Sequence, residues 1–584
     1  MVNRKITKKS SDLFTQRSSL MIAALLLFFL ILAGKLFSLQ VIHGSENRKI
    51  ADAQHSIYKK LLPSRGEIKL ADQTTLETTS VATNLKAYLV YAVPQEIDNA
   101  QLAASSLSQV LGLESKDVLA KITDTSRKYV PLKKQLTDDE QRKIKDLKLA
   151  GIYFDSEDTR FYPNQNLLSQ VLGFVGYKGN QKAGLYGLEK YFDQDLAGTA
   201  GELHAEKDNS GAWIVGTDKQ MTPEQDGDTL VLTIDKTIQF NVEQVLKDAV
   251  TKHGADSGSV IVVNPKTGAI MAMATYPDFN PNAFNKVTDP KVFNNQTTTG
   301  NYEPGSTFKA ITMAAALDEG KINPTTTYTD TGSVKVDNYI IKNAEGGARG
   351  VQTMTQALSL SLNTGAIFAE NQIGNQDFLS YIQKFGFGKK TGIELPETGG
   401  NLANLIKGNI EVNFDTASFG QGITVTPLQM IQAYTAFANG GKMMKPYIVQ
   451  SKIDPNGKVT QTQPEVVGQP ISAQTASTLS AMLVDVVENG FGKRAAVPGY
   501  YIAGKTGTAQ VVGKDGKYDA TNNIGSFIGY GPVQDPQFLM IVRIDHPRDV
   551  QFAESTAGPA FGQLAQFILN YLHVAPTRDV SGKK

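Results

Sequence analysis

Glu303-Pro304-Gly305-Ser306-Thr307-Phe308-Lys309 is the stretch on which the reading of this chain turns. A serine and a lysine one helical turn apart make a nucleophile with its own proton acceptor. The Glu303-Pro304-Gly305 turn hands over to an alanine-rich apolar run, Ala310 to Leu317. A helix is therefore expected to open at Ser306, with Lys309 on the same face at i+3. Working outward, Ser361-Leu362-Asn363 and Lys505-Thr506-Gly507-Thr508 follow in that order. Each element alone is weak, because the chain repeats all three. Ser56-Ile57-Tyr58-Lys59 and Ser581-Gly582-Lys583-Lys584 also read S-x-x-K, Lys266-Thr267-Gly268 and Lys390-Thr391-Gly392 read K-T-G, and Ser45-Glu46-Asn47 reads S-x-N. Context separates them. Ser56 sits in a polar stretch near the apolar N-terminal segment, and Ser581 in a charged tail. Lys266 follows Asn264-Pro265 between two apolar runs, which predicts a hairpin turn. Lys390 follows the glycine-punctuated Phe385-Gly386-Phe387-Gly388 and reads as a loop.

Gly499-Tyr500-Tyr501-Ile502-Ala503-Gly504-Lys505-Thr506 also satisfies the G-x-x-x-x-G-K-[ST] pattern of a phosphate-cradling loop. That loop needs a strand before its first glycine and a helix opening at the lysine. Here Pro498 stands where the strand should end, the interval is itself strand-like, and Gly507 to Val512 is no helix start. Composition narrows the classes further. The 584 residues carry 58 basic and 57 acidic side chains, so no net field draws the chain to nucleic acid. Cysteine is absent, which excludes disulfides, thiol catalysis and Cys-ligated zinc and fits work outside a reducing cytoplasm. The six histidines are scattered without metal-ligand spacing, so no metal site is expected. No Gly-x-Ser-x-Gly elbow occurs, which leaves a Ser-His-Asp hydrolase unsupported.

Ser18 to Gly34 is uncharged and rich in Leu, Ile, Phe and Ala, and Leu36 to Ile42 extends it past Lys35. Seventeen helical residues span roughly 26 Å, just short of a hydrocarbon core of about 30 Å. Arg4, Lys5, Lys8, Lys9 and Arg17 precede it against Asp12, which predicts a cytoplasmic N-terminus. Without a convincing small-x-small cleavage site the segment reads as an uncleaved anchor. The expected layout is a cytoplasmic tail over 1–17, a transmembrane anchor over 18–42, a first outer domain over 43–227, a catalytic domain over 228–575 and a flexible tail over 576–584. In the first outer domain short strand runs and modest helices are expected, one of them opened by the capping box Thr137-Asp138-Asp139-Glu140. Beyond Leu230 the pattern predicts a helix over Lys236 to Lys252, strands over Gly258 to Asn264 and Ala269 to Thr275, and a helical block around the serine. A helix running through Ala438 comes next, then strands over Gly504 to Val512, Gly525 to Gly531 and Phe538 to Ile544, and a closing helix over Ala560 to His573.

In that order and spacing the three motifs resemble those of the penicillin-binding protein and serine β-lactamase superfamily. The region before them resembles the non-catalytic pedestal of class B penicillin-binding proteins. The fragments that carry this are Arg65-Gly66-Glu67-Ile68, Arg160-Phe161-Tyr162-Pro163, Leu172-Gly173-Phe174-Val175-Gly176 and Gly187-Leu188-Glu189-Lys190-Tyr191-Phe192, running on to Leu196-Ala197-Gly198. The resemblance implies an α+β fold: a membrane-anchored pedestal or dimerisation domain, then a β-lactamase-like transpeptidase domain with helices flanking an antiparallel sheet. It implies a peptidoglycan D,D-transpeptidase that uses no cofactor, forms an acyl-enzyme on Ser306 and binds D-Ala-D-Ala stem peptides and β-lactams. It further implies a single-pass location in the cell membrane with the catalytic domain outside, and work beside a SEDS-family glycan polymerase. A compact pedestal favours the septal, division-type group over the elongation type.

The residue roles that the resemblance implies are chemically coherent. Lys309 can act as a base only when neutral, which at pH 7 corresponds to roughly 4–5 kcal/mol for a lysine of ordinary pKa. Burial among apolar helices and a second cation at Lys505 both push that way. Ser361 would relay a proton to the leaving group and Asn363 would hold the substrate amide. Lys505, Thr506 and Thr508 would bind the terminal carboxylate along a strand kept open by Gly507. The backbone N–H groups of Ser306 and Thr508 would form the oxyanion hole. A β-lactamase, a D,D-carboxypeptidase and a non-catalytic scaffold are the rival readings, separable by adduct lifetime, product identity and labelling of Ser306.

Overall fold

The computed structural model describes all residues except 1–8, 48–55, 73–76, 180, 207–219, 513–517, 551 and 579–584. The S-x-x-K at Ser581 and part of the two terminal tails therefore lie outside the described residues. The helix Lys9–Phe37 carries the apolar segment and continues through a π turn to Ile42. Arg17–Ile42 is long and apolar enough to cross a membrane, and this one N-terminal helix fits a single-pass anchor.

The chain divides into two compact units, Met1–Pro63 with Thr199–Gln225, and Ser64–Gly198 with Asp226–Lys584. In the smaller unit, strands Ser56–Leu61, Gly201–Glu206 and Gln220–Thr222 pair antiparallel. The expected boundary at 227/228 lies close to the break at Gln225/Asp226, yet residues Ser64–Gly198 belong with the larger unit. The reason is a shared sheet. Ile68–Ala71 pairs in parallel with Thr229–Asp235, which in turn pairs with Val449–Ile453. The same sheet continues through Thr78–Ala92 to Val130–Leu136 and Ile152–Phe161. Thr78–Ala92 is fifteen residues long, where only short strand runs were expected. Its β-branched and aromatic residues outweigh the polar Asn84 and Lys86 that interrupt the pattern. The helix at Asp138–Asp146 has its capping box, with Thr137 and Glu140 each accepting from the other's backbone.

Three of the family-like fragments of this region meet at one buried carboxylate. Glu189 is fully buried and accepts from Arg65 Nε at 2.7 Å and Arg160 Nε at 2.6 Å. Tyr162 Oη donates to it at 3.3 Å, and Arg65 also pairs with Asp193 at 2.9 Å. Residues that looked like separate loose patterns are thus one network of charge-assisted bonds.

The catalytic part is built on a five-stranded antiparallel sheet in the order Ile270–Tyr276, Ser257–Val263, Phe538–Asp545, Tyr518–Gly531, Ala503–Val512. Its strands are buried on both faces, so they read as continuous apolar runs rather than alternating ones. Val260, Val262, Met540 and Val542 pack on one side with the helices Lys236–Lys252 and Ala557–Tyr571. Ile261, Val263, Leu539 and Ile541 pack on the other, in the core that contains Phe308, Met430 and Tyr434. Lys236–Lys252 has the expected bounds because Asp235 caps it, accepting from Thr237 and Ile238 N–H at 2.8 and 2.9 Å. Its buried Ile238, Val242, Val245, Leu246 and Val250 form one stripe. Lys266-Thr267-Gly268 lies in the turn between two paired strands, as predicted, and Lys390-Thr391-Gly392 in a loop. Lys505 falls inside a strand, which disposes of the phosphate-loop reading. At the C-terminus Thr577 and Arg578, expected in a flexible tail, are held. Both N–H groups donate to Gly499 O, and Arg578 pairs with Glu488 at 2.9 Å.

Candidate active site

Gly305–Phe308 forms a single 3-10 turn that opens directly into the helix Lys309–Asp318. Ser306 therefore stands at a helix start, as predicted, half-buried on the wall of a cleft of about 650 Å³. The turn is tied down from three sides. Gly305 N–H donates to Gly420 O at 3.1 Å, Tyr434 Oη to Thr307 O at 2.6 Å, and Thr307 Oγ1 to Pro304 O at 2.6 Å. Gly305 has φ +54° and Gly420 φ +81°, and a Cβ on Gly420 would come within 2.3 Å of Gly305 O. That approach explains why the Gly420-Gln421-Gly422 loop faces the serine turn, a link sequence reading did not make. Gly422 N–H and Tyr518 Oη both bond the Glu303 carboxylate, which closes the same corner.

Lys309 is fully buried, and its Nζ donates to Ser361 O at 2.5 Å and to Ser361 Oγ at 3.3 Å. Lys505, also fully buried, donates to Ser361 Oγ at 2.9 Å and to Thr506 O and Oγ1 at 3.1 and 3.3 Å. One hydroxyl thus sits between two lysine Nζ atoms. Ser361 achieves this with φ +53°, a left-handed conformation that few non-glycine residues adopt. It lies between the helices Met354–Ser359 and Asn363–Ile373, and the left-handed turn presents both its carbonyl and its hydroxyl to Lys309. Ser359 Oγ bonds to Asp485, which anchors the preceding residues. Burial, and then the charge on Lys505, push the Lys309 pKa far below the ordinary lysine value. Burial pulls Lys505 down to about 7. Two cations this close in a site shielded from water cannot both keep their protons at ordinary lysine pKa values.

Ala503–Val512 is the edge strand of the sheet. Thr506, Thr508 and Gln510 line the cleft at the two-residue period of a strand. Thr508 Oγ1 accepts from Ala553 N–H at 3.2 Å. Gly507 is closely packed against the serine turn. A Cβ there would meet Ser526 Oγ at 2.7 Å and Pro304 O and Thr307 Cγ2 at 2.9 Å. The glycine lets the strand close on the serine turn. Asn363 does not cap its helix: Leu362 occupies the cap position, and Asn363 Nδ2 donates to Lys342 O at 2.8 Å. Lys342 ends the hairpin Ser333–Val336 and Tyr339–Lys342, whose Tyr339 and Ile340 line the cleft with their side chains largely exposed. Nothing in the motifs announced this hairpin. Ser306, Ser361, Asn363, Thr506 and Thr508 all line the cleft, Lys309 and Lys505 lie buried beside Ser361, and Gly507 lies against the serine turn.

Comparison with known proteins agrees with this architecture. Residues 258–566 match the penicillin binding protein transpeptidase domain, and residues 60–232 the penicillin-binding protein dimerisation domain. Stage V sporulation protein D of Bacillus subtilis is 36% identical over 95% of this chain and 86% of its own length. Peptidoglycan D,D-transpeptidase FtsI of Escherichia coli is 28% identical over 99% and 96%. Among solved structures, penicillin binding protein 2X of Streptococcus thermophilus superposes with TM-score 0.74 at 25% identity, covering 90% of this chain and 82% of that one. Penicillin binding protein 3 of Mycobacterium tuberculosis, complexed with aztreonam, does so with TM-score 0.68 at 25% identity over 89% and 99%. The chain belongs to the penicillin-binding proteins, in the class B group that couples a dimerisation domain to a serine acyltransferase domain of the transpeptidase family.

Proposed function

We propose that this chain is a β-lactam-sensitive peptidoglycan D,D-transpeptidase of the division type that works through an acyl-enzyme on Ser306. The observation that carries this reading is the row Lys309–Ser361–Lys505, buried beside the turn that presents Ser306. In the proposed reaction neutral Lys309 takes the Ser306 hydroxyl proton as Oγ attacks the carbonyl of the penultimate D-alanine. The bond to the terminal D-alanine breaks, and its amine leaves with a proton relayed through Ser361. An acceptor amine from a second stem then attacks the ester, its proton returns to Ser306, and the cross-link is released. Backbone N–H groups at Ser306 and Thr508 face the developing oxyanion, where the helix start adds a favourable dipole. The substrate lies extended along the edge strand, an arrangement in which main-chain groups supply affinity. Its amide meets Asn363, and its terminal carboxylate meets Lys505, Thr506 and Thr508, drawing Lys505 to its charged form. A β-lactam keeps its leaving group tethered after ring opening, so the adduct persists.

The basic residues ahead of the apolar helix support a cytoplasmic N-terminus with the catalytic part outside, in reach of a SEDS-family polymerase. The layout is a cytoplasmic tail, an anchor, a pedestal ending near residue 227 and a transpeptidase domain. The compact pedestal supports the division type, as does likeness to FtsI along nearly the whole chain. The direct test supplies the full-length chain with a D-Ala-D-Ala donor and an amine acceptor and identifies products by mass spectrometry. Cross-linked product with released D-alanine, lost in Ser306→Ala, is expected. Hydrolysed donor without cross-link would make the enzyme a carboxypeptidase. In cells, depletion should leave growth without septa, whereas swelling would assign it to elongation and a defect confined to spores to sporulation.

A further inference from the structure

Three carboxylates that the serine chemistry does not use stand together beside the cleft. Glu370 lies on the helix Asn363–Ile373, and Glu411 and Asp415 lie one turn apart on the helix Glu411–Ser418. Ligand oxygens from the three lie within 4.8 Å of one another. Glu370 is fully buried, and neither of its carboxylate oxygens has a hydrogen-bond partner. Asp415 is 1% exposed, and among the described residues its carboxylate has only a long 3.5 Å contact from Asn371 Nδ2. Glu411 is exposed, with its Oε2 held by Asn375 Nδ2 at 2.9 Å. Among the described residues no basic group answers them. The charges acting on Glu370 and Asp415 are those of their fellow carboxylates and of Asp337.

Buried polar atoms are almost always partnered, so a glutamate with two orphaned oxygens aimed at two more carboxylates calls for a counter-group. Without one, the cluster must take up protons. Burial, then Asp415 and Glu411, push Glu370 up to about 8, and burial, then Glu411, push Asp415 to about 6. A cation meets the same demand with the carboxylates ionised. Ligands at about 2.3–2.6 Å from one ion stand at most roughly 5 Å apart, and these oxygens meet that limit. The donors are all oxygen, with no imidazole or thiolate, which selects hard cations over zinc. Glu411 supplies the route in from solvent.

We propose that Glu370, Glu411 and Asp415 hold a hard divalent cation, Ca²⁺ by the spacing of their oxygens, that braces two helices framing the active cleft. The helix bearing Glu370 begins at Asn363. The other carries Val412 and Thr416 on the cleft wall and leads to Gly420, which abuts Gly305. The ion takes no part in acyl transfer. It fixes the wall against which the serine turn and Asn363 are set.

The test uses the detergent-solubilised full-length chain, stripped with EDTA and then freed of chelator. CaCl₂ or MgCl₂ is titrated by calorimetry, and thermal unfolding is followed with each. One equivalent of Ca²⁺ should bind and Tm should rise, with Mg²⁺ the weaker of the two. Glu370→Gln should abolish binding. Glu411→Gln, at an exposed position where folding is not at risk, should weaken it by at least roughly tenfold. The Glu411→Gln protein should still be labelled by benzylpenicillin. No heat and no Tm change with either salt at millimolar concentration would overturn the proposal, as would unchanged affinity in Glu411→Gln.

Discussion

Replacing Lys505 with methionine should stabilise the protein near neutral pH while destroying its activity. Lys505 is fully buried, and burial pulls its pKa from 10.5 to about 7. At about 1.4 kcal/mol per pKa unit, keeping this amine in the fold costs on the order of 5 kcal/mol at pH 7 and below. The folded pKa is the lower one, so between about pH 7 and 10.5 the unfolded chain binds more protons than the folded chain. Wild-type stability therefore rises with pH across that window. Methionine fills a similar volume without the charge, but it forfeits the bonds to Ser361 Oγ, Thr506 O and Thr506 Oγ1. That loss offsets about 1–3 kcal/mol. The net gain for Lys505→Met is about 2–4 kcal/mol at pH 7, fading to nothing or reversing near pH 10. Thermal unfolding of both solubilised proteins from pH 6.5 to 10, with benzylpenicillin acylation measured alongside, reads the effect directly. A variant less stable than wild type at pH 7, or a difference in Tm that ignores pH, would refute the reasoning. Function sustained at such a cost in stability is a common feature of active sites.

The other predictions bear on the base, the strand and the pedestal. Acylation should rise with pH as Lys309 loses its proton, at a pH well below 10.5, and then level off. Lys309→Arg, which holds its charge, should cost about 10²–10⁴-fold in acylation rate, read by stopped-flow fluorescence with a labelled penicillin. Gly507→Ala should push the edge strand off the serine turn through its 2.7–2.9 Å encounters. Acylation should slow roughly 10²-fold and stability should fall by about 1–3 kcal/mol. Glu189→Ala leaves Arg160 buried without its carboxylate and Arg65 with Asp193 alone, and denaturant unfolding should show a loss of about 3–5 kcal/mol.

Much of the fold was legible because local signals agreed with the packing. Asp235 announced a capped helix, and the apolar run from Gly258 to Thr275, broken at Asn264-Pro265, announced a hairpin. The three motifs could be found because their order and surroundings distinguished them from five look-alikes. What stayed hidden depends on distant chain segments meeting. The left-handed Ser361 has no glycine to mark it, since its conformation is imposed by flanking helices and two lysines. The close approach at Gly507 depends on Pro304 and Thr307, some two hundred residues away. The sheet that joins Ile68–Ala71 to Thr229–Asp235 leaves no mark in either strand. Glu370 and Asp415 read as ordinary helix residues until the fold brings them together.

The central claim is that Ser306 is the acylated residue. Intact-mass spectrometry of the solubilised full-length chain after incubation with benzylpenicillin, alongside Ser306→Ala, tests it most directly. One adduct per chain is expected, persisting for hours, mapping to the Ser306 peptide and absent from the variant. An adduct on Ser306→Ala, or none on the wild-type protein, would contradict it.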